Sequence, residues 1–269
     1  MRCRICNSTR IKIIDAATQN LFECRSCRFV FKTGAKTVYE DLPAESYTIY
    51  NFDRALEVQE IAKAIKKYHP NFKNMNLLEI GCGTGVLLSE FRKLGMNVYG
   101  FEPSSIGATI ARTQFQLTNI KNEYFRSNSF GVTPHVYLLY DVLEHLDNEC
   151  ELFSAVSGAM DKDSVFVVRS GNPASINARL FPAKWMYFAM DQHVAFHCKT
   201  SLDILCRKTD LKLVKFHSFR HAYGGWALKN LAENIVKGLL FRLVPSGHVI
   251  HDRRITLAHD HFIAIIQKQ

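Results

Sequence analysis

Apolar positions along this 269-residue chain follow a two-residue or continuous pattern in some segments and a helical period in others. Helical spacing covers residues 53–68 and resumes directly after Gly85. Seven apolar runs have the length of strands: 76–80, 97–101, 120–125, 135–140, 164–168, 211–216 and 261–266. Because strands and helices alternate, we predict an α/β fold with a doubly wound, Rossmann-like sheet of seven strands and a ligand at the strands' carboxyl ends.

Composition agrees with a folded globular protein, since 47% of the residues are hydrophobic and 22% are charged. We expect no membrane span and no secretory signal, because no long apolar run occurs and the chain opens on Met1-Arg2-Cys3. The net charge of +9 is concentrated at both ends. These basic ends suit an anionic partner such as RNA or a nucleotide-linked substrate, or they serve solubility alone.

Four of the eight cysteines lie in two CxxC pairs, Cys3/Cys6 and Cys24/Cys27, separated by the spacing of four-thiolate zinc sites. Short apolar stretches between and after the pairs predict three small strands. Residues 1–40 are therefore predicted to form a zinc ribbon that needs its metal to fold, because so short a segment buries little surface. Four thiolates leave no open position, so the zinc is predicted to be structural. A redox-active CxxC is the alternative. Unpaired, scattered cysteines elsewhere predict a cytoplasmic protein.

A glycine-rich turn follows the first strand of the predicted sheet, in the segment Glu79-Ile80-Gly81-Cys82-Gly83-Thr84-Gly85. Glycines there allow positive φ and a close approach of backbone to ligand, and the next helix presents free N–H groups. The spacing is GxGxG, whereas a phosphate-binding dinucleotide turn has GxGxxG. Glu102 ends the next strand, about 20 residues on, where a carboxylate can accept hydrogen bonds from both ribose hydroxyls.

The fourth strand runs into Asp141-Val142-Leu143-Glu144-His145-Leu146. Together with the glycine turn, this segment resembles class I S-adenosylmethionine-dependent methyltransferases of the small-molecule type, including the ubiquinone-biosynthesis O-methyltransferases and sugar methyltransferases. The resemblance covers about residues 45–269, in a predicted methyltransferase domain of residues 41–269. It implies S-adenosylmethionine as the cofactor and the following cofactor-binding residues: Glu79, Gly81, Cys82, Gly83, Thr84, Gly85, Glu102, Pro103, Tyr140 and Asp141.

Methyl transfer to a hydroxyl needs a group that takes up a proton, and histidine is the natural candidate. A predicted lid, residues 171–200, contains Asp191 and His193 in a segment similar to the family's lid. We predict His193, His145 and Asp191 as catalytic residues, with simple hydrogen-bonding roles in the lid as the alternative. In the ubiquinone-type enzymes, a set like Asp141, Glu144 and His145 has been linked to Mg²⁺, but helix capping and loop orientation are favoured here.

The predicted reaction is methyl transfer to a small-molecule acceptor such as a sugar or nucleotide-sugar. An RNA methyltransferase that reads nucleic acid with the ribbon is one alternative, but no Asn-Pro-Pro-Tyr-like base-flipping motif occurs. A cofactor-binding protein without catalysis is another. Residues 228–239 predict an amphipathic helix that docks on the core, forms a dimer contact or touches a membrane. Neither motif contacts the acceptor, so the sequence leaves the acceptor atom and the oligomeric state open.

Overall fold

A computed structural model describes residues 1–14, 20–34, 55–180, 182, 185–219 and 260–269. The strands in these ranges are β1 (Ile11–Ile13), β2 (Leu21–Cys24), β3 (Val30–Lys32), β4 (Asn76–Ile80), β5 (Asn97–Phe101), β6 (Ile120–Lys121), β7 (Val136–Tyr140), β8 (Val165–Gly171), β9 (Ala195–Phe196), β10 (Leu211–Phe219) and β11 (His261–Lys268). The helices are α1 (Ala55–Lys66), α2 (Val86–Lys93), α3 (Ser105–Thr113), α4 (Glu149–Ala159), α5 (Ile176–Leu180), α6 (Met186–Ala189) and α7 (Lys199–Lys208), with a 3₁₀ turn at Leu143–His145.

Seven strands form the central sheet in the order β10-β11-β8-β7-β4-β5-β6. The five strands from β4 to β8 are parallel, and β11 and β10 add antiparallel neighbours at one edge. The chain moves outward from β4 in one direction to β6 and in the other to β7 and β8, so the strand order reverses beside β4. The predicted doubly wound sheet is confirmed, and its switch point lies where ligands bind in such folds.

Both faces of the central sheet are buried, which explains the nearly continuous apolar runs. Leu77, Leu138 and Val167 pack on one face, whereas Leu78, Leu139 and Val168 pack on the other. All five residues of β7 are buried. A one-residue shift in register would exchange the two faces, so these packed layers fix the positions at which the strands end.

A second, smaller sheet has the order β1-β2-β3-β9, with antiparallel neighbours throughout. Its first three strands belong to the predicted zinc ribbon, but β9 comes from the lid, more than 160 residues later. Ribbon side chains such as Phe29 and Phe31 share one hydrophobic cluster with Leu143 and Phe153 of the methyltransferase core. The ribbon is therefore packed into the fold of the larger domain.

Two predicted strand boundaries are wrong. β6 ends at Lys121, and the residues up to Phe125 form no strand. β8 continues beyond residue 168 through Ser170 and Gly171, because β11 pairs with it as far as Gly171. Helix α7 begins after Cys198, whose N–H donates at 3.0 Å to the Oγ of Ser201 in the first turn.

The predicted amphipathic helix at 228–239 and most of the segment that leads into α1 lie outside the described residues. Among the residues that the structure describes, no helix has the length and apolar character needed to cross a membrane.

Candidate active site and thiolate cluster

The two CxxC pairs converge on one point of the ribbon. Cys3 Sγ lies 3.6 Å from Cys27 Sγ, and Cys6 Sγ lies 3.5 Å from Cys24 Sγ. All four sulfurs lie within 4.8 Å of one another. A tetrahedral zinc site with Zn–S bonds of about 2.3 Å requires sulfurs about 3.8 Å apart, so the cluster fits this ion.

Local backbone geometry makes the two cysteine turns alike. Asn7 N–H donates to Cys3 O, and Arg28 N–H donates to Cys24 O, both at 2.8 Å. Asn7 and Arg28 have φ of 62° and 65°, in the left-handed region that favours glycine. The Arg28 side chain is held there by an ion pair between its Nε and Glu23 Oε1 at 2.5 Å. An arginine therefore occupies a position where many zinc turns carry glycine.

The glycine turn joins β4 to α2 at the switch point of the central sheet. Gly85 has φ of 78°, and a Cβ on it would meet Leu117 Cδ1 at 2.5 Å, so this position serves packing and backbone conformation. Gly83 has φ of 53°, and a Cβ there would meet nothing within 4 Å. Open space thus borders Gly83, on the side where a ligand would approach the turn.

Glu102 brings its carboxylate from the end of β5 onto the glycine turn. Its Oε2 accepts from Gly83 N–H at 2.7 Å, and its Oε1 accepts from Ser104 N–H at 2.9 Å. Burial raises the pKa of this carboxyl. The structure places Glu102 beside the turn, as the predicted ribose contact requires. The other predicted cofactor residues of the turn are buried or half-buried around it: Glu79, Gly81, Cys82 and Thr84.

Two predicted cofactor residues at the end of β7 join a buried polar network. Asp141, in the left-handed region with φ of 51°, accepts from the fully buried Arg169 Nη1 and from Tyr187 OH, the latter at 2.9 Å. Arg169 Nη1 also donates to Tyr187 OH at 3.1 Å, and its guanidinium lies over the Tyr140 ring at 4.6 Å. Pro103 lies apart from this network, after β5, where its carbonyl accepts from Asn122 Nδ2 at 2.9 Å.

Glu144, His145 and His193 form a compact cluster next to this network, with potential ligand atoms within 4.8 Å of one another. The rings of His145 and His193 meet edge to face at 4.5 Å. His193 Nδ1 lies 3.0 Å from Tyr187 O, and His145 Nδ1 lies 3.2 Å from Gln192 O. Since a carbonyl oxygen only accepts, both Nδ1 atoms carry the proton.

Burial sets the protonation states of this cluster. It raises the pKa of Glu144 to about 8, with a further contribution from the charge of Asp141, and Ser170 Oγ donates to Glu144 Oε2 at 2.7 Å. Burial also lowers the pKa of His145 to about 4 and that of His193 to about 2. Both imidazoles are therefore neutral near pH 7, and Glu144 has the pKa closest to neutrality.

The structure separates the three residues that the sequence selected for catalysis. His145 and His193 are in contact, but Asp191 is exposed. Burial lowers the pKa of Lys32 of the ribbon, and the charge of Asp191 acts on that lysine in the opposite direction, raising its pKa. Of the three residues that resemble a Mg²⁺ set, Asp141 pairs with Arg169, whereas Glu144 and His145 lie in the cluster with His193. Two imidazoles and one carboxylate suit transition metals better than Mg²⁺, which prefers oxygen ligands.

Arg169 and Ser170 are site residues that sequence analysis missed. Both lie in β8, where the apolar run Val165–Val168 gave no indication that the strand continues into polar residues. The sequence of β11, which pairs with β8, did carry an indication. Its apolar run is longer than that of β8, which suggests that β8 continues past Val168. Tyr187 lies in the predicted lid, and sequence analysis did not predict its hydrogen bond to Asp141.

Comparison with known proteins agrees with this geometry. A family model described as a methyltransferase domain matches residues 51–215, which is more than half of the chain. The chain belongs to this methyltransferase family. The match confirms the predicted class of enzyme, an S-adenosylmethionine-dependent methyltransferase. It extends from the segment before α1 into β10, so the glycine turn, the β7 network and the lid all lie inside it.

Relatives of this methyltransferase include the ubiquinone biosynthesis O-methyltransferases of Rhodopseudomonas palustris. That of strain BisA53 is 24% identical over 119 residues, which cover 40% of this chain and 47% of the relative. That of strain TIE-1 is 26% identical over the same length, with the same coverage. The methyltransferase therefore spans slightly less than half the length of the curated relatives it matches.

Solved structures share the fold. A magnesium protoporphyrin IX methyltransferase from Synechocystis PCC 6803 with bound SAH has a TM-score of 0.54 at 12% identity, covering 80% of this chain and 84% of that chain. A SAM-dependent methyltransferase from Archaeoglobus fulgidus has a TM-score of 0.53 at 17% identity, covering 82% and 99%. The central sheet of this methyltransferase is thus one that other proteins of this class use.

Proposed function

We propose that this methyltransferase transfers a methyl group from S-adenosylmethionine to a hydroxyl of a small molecule, with a sugar or nucleotide-sugar as the preferred class. The observation that carries the proposal is that two groups of residues, a cofactor half and an acceptor half, lie next to each other at the switch point of the sheet. A glycine turn with Glu102 lies on one side, and a buried cluster of proton-accepting groups lies on the other.

The cofactor half would hold the adenosyl and amino-acid parts. Glu102 is positioned for the ribose hydroxyls, and the open space beside Gly83 leaves room for a ligand on the turn. Glu79, Thr84 and Tyr140 border the same region as buried side chains. S-adenosylmethionine supplies an electrophilic methyl group on a sulfonium, so the protein's task is to align an acceptor and manage one proton.

The acceptor half would orient the hydroxyl and take up its proton. His193, neutral and with Nδ1–H held by Tyr187 O, leaves its Nε2 as a hydrogen-bond acceptor. Because its pKa is so low, we assign it the role of orienting the hydroxyl. Glu144, with a pKa of about 8, is the better proton acceptor of the cluster near neutral pH. Exposed Asp191 has no part in this proposal.

Burial of the candidate acceptor residues supports a small acceptor over RNA. Arg169, Tyr187 and His193 are all buried, which leaves them inaccessible to a duplex. Hydrogen-bonding groups from arginine, tyrosine, serine and glutamate suit a polyhydroxylated molecule. The relatives act in ubiquinone biosynthesis as O-methyltransferases, by their names, and this similarity supports a hydroxyl as the target.

Two measurements test the proposal. Isothermal titration should show SAH binding, and Glu102→Ala should weaken it by at least about tenfold, because two charge-assisted hydrogen bonds to the ribose would be lost. Incubation with methyl-labelled cofactor and a fractionated cell extract should label a small-molecule fraction. Absence of SAH binding would refute the methyltransferase assignment, and label appearing only in RNA would refute the acceptor class.

We also propose that Cys3, Cys6, Cys24 and Cys27 bind one structural zinc ion. The Cys27 thiol, hydrogen-bonded to Cys3, lowers the pKa of Cys3 to about 5, which favours a thiolate at one corner of the cluster. Elemental analysis should find one zinc per chain. Cys24→Ser should lose it, whereas Cys150→Ser, a change at a cysteine outside the cluster, should retain it. Equal zinc contents in the two variants would contradict the assignment.

A further inference from the structure

The ribbon and the lid are joined by main-chain hydrogen bonds. Val30 of β3 is paired with Phe196 of β9, and Phe31 is paired with Ala195. Beyond the paired strands, Lys32 N–H donates to Val194 O at 3.0 Å. The lid segment 190–198 therefore forms the fourth strand of the ribbon's own sheet and its flanking loop.

Lys32 makes a second contact with the same segment through its side chain. Its Nζ donates to Met190 O at 2.7 Å, and the side chain is buried, with 8% of the residue exposed. Burying a lysine ammonium group costs free energy unless the group is hydrogen-bonded, and the bond to Met190 O offsets part of this cost. The two carbonyls that Lys32 holds, at Met190 and Val194, lie on either side of His193.

The methyltransferase core holds the same segment from the other side. Val194 N–H donates to Glu144 O at 2.7 Å, so the residue after His193 is fixed between Lys32 and Glu144. Further along, His197 is completely buried, with its Nε2 3.4 Å from Glu149 Oε1 and its ring 4.6 Å from Phe29 of the ribbon.

Glu149 provides a second joint between ribbon and core. Arg4 of the ribbon donates to both carboxylate oxygens, through Nη2 at 2.8 Å and Nε at 3.1 Å, and to Leu146 O at 3.1 Å. Glu149 is 1% exposed, so this bidentate pair is shielded from water on one side. The ribbon is thus attached at both ends of the lid segment 190–198.

We propose that the ribbon is a positioning element of the active site, and that Lys32 is the residue that holds the lid segment 190–198 and His193 in place on the core. This role makes the ribbon a part of the acceptor site and not a separate nucleic-acid reader. It rests on the proposed function only for the role given to His193 at the acceptor.

Hydrogen–deuterium exchange on the full-length, metal-loaded protein tests this role without cofactor or acceptor. Lys32→Met keeps the length of the side chain but removes the donor to Met190 O. We expect amides in 190–198 to exchange at least about tenfold faster, the change expected on losing a hydrogen bond from a charged group. Amides in β4 and β5 should be unchanged, and SAH affinity should stay within about twofold.

Lys12→Met is the matched control, because it makes the same chemical change in the same ribbon. Lys12 lies on the outer strand β1, where its Nζ pairs with Glu23 Oε2 at 2.6 Å. It should leave exchange in the lid segment as in the parent protein. Lys32→Arg, which retains a cationic donor, should restore most of the protection and most of the methyl transfer to the labelled fraction.

Unchanged exchange in 190–198 on Lys32→Met, with zinc content intact, would overturn the proposal. If that variant does not fold, Glu149→Gln gives a second test at the other joint, with the same prediction of faster exchange in the lid and normal exchange in β4. Failure of SAH binding in the parent protein would refute the proposed function but leave the exchange result valid, so the two failures are distinguishable.

Discussion

The cofactor half and the acceptor half of this site lie at the same edge of one sheet but are assembled in different ways. In the cofactor half, the five-residue glycine turn 81–85 follows β4, and Glu102 follows the neighbouring strand β5. In the acceptor half, the side chains come from the end of β7, from β8, from α6 and from the loop before β9. The ribbon contacts this loop region through the pairing of β3 with β9. Backbone conformation determines the first half, and side-chain pairing determines the second.

This difference predicts how substitutions will act. Each change in the cofactor half should alter ligand affinity or the local backbone only at its own position, independently of the others. Changes in the acceptor half should propagate, because Asp141, Arg169, Tyr187 and Glu144 share hydrogen bonds or charges, and a network of this kind is strongly non-additive. The variants below test this distinction.

The largest effect should come from Asp141→Ala, which leaves the buried Arg169 without its counter-charge. Breaking a buried pair in this way costs about 3 kcal/mol in free energy of unfolding, at the lower end of the usual range because Asp141 itself is about one-third exposed. Urea denaturation measures the loss. Asp191→Ala, at an exposed acid of the lid, should change stability by less than about 0.5 kcal/mol. Equal losses would contradict the assignment of Asp141 to the network.

Within the glycine turn, Gly85→Ala and Gly83→Ala should differ. Gly85→Ala should cost about 2–3 kcal/mol, since its Cβ would meet Leu117 at 2.5 Å and Ala111 at 2.9 Å and its φ is positive. Gly83→Ala should cost only about 1 kcal/mol for the left-handed conformation but should weaken SAH binding markedly. Thermal unfolding and titration calorimetry separate the two. Normal SAH binding by Gly83→Ala would show that the cofactor does not approach the turn there.

Stability should depend on pH through Glu144. Its pKa is about 8 in the folded protein, above the ordinary 4.5, so the stability gained from its proton is complete below about pH 4.5 and is lost as pH rises through 8. The lowered pKa values of His145 and His193 act in the opposite direction, and only as pH falls below about 6.5.

Between pH 7 and 8, the parent protein should therefore lose up to about 1.4 kcal/mol more free energy of unfolding than Glu144→Gln, which can still accept from Ser170. Denaturant titrations of both proteins at the two pH values measure this difference. Other groups that titrate equally in the two proteins do not contribute to it. Parallel pH profiles would mean that Glu144 does not titrate between pH 7 and 8, and would remove the basis for its assignment as the proton acceptor.

Tyr187→Phe should have the smallest effect on stability, about 1 kcal/mol, because one hydroxyl leaves the network while Arg169 and Asp141 stay paired. SAH affinity should stay within about twofold, and the rate of methyl transfer to the labelled fraction should fall. Gly171→Ala is a steric counterpart, since its Cβ would meet the Tyr187 ring at 2.5 Å and displace it. A drop in SAH affinity with either variant would place Tyr187 in the cofactor half.

The candidate site residues that sequence analysis selected have local signals. The GxGxG turn and Glu102 of the cofactor half lie at a fixed distance, the segment from Asp141 to His145 of the acceptor half is contiguous, and each strand showed its own apolar run. His193 was selected from the pattern of the lid. Asp191, two residues earlier, was selected by the same pattern, but the turn directs it to solvent.

Arg169 could not be selected from the sequence. It follows an apolar run, where a polar residue suggests the end of a strand, and pairing with β7 and β11 extends β8 through it. Its partners Asp141 and Tyr187 lie 28 and 18 residues away. A charged residue is stable in such a place only when its partners are already positioned by packing, which no local pattern reveals.

The amino-acid sequence by itself determined the thiolate spacing of the ribbon, the alternation of strands and helices, and the glycine turn between β4 and α2, because these follow from backbone preferences and periodicity over short distances. The tertiary structure alone decided that the ribbon forms one sheet with the lid, and that Lys32 and Glu144 both hydrogen-bond the backbone of Val194, the residue after His193. Glu144 and Val194 lie 50 residues apart in the sequence, and the ribbon and the lid lie about 160 apart. The free energy of these contacts is gained only when the whole chain is folded.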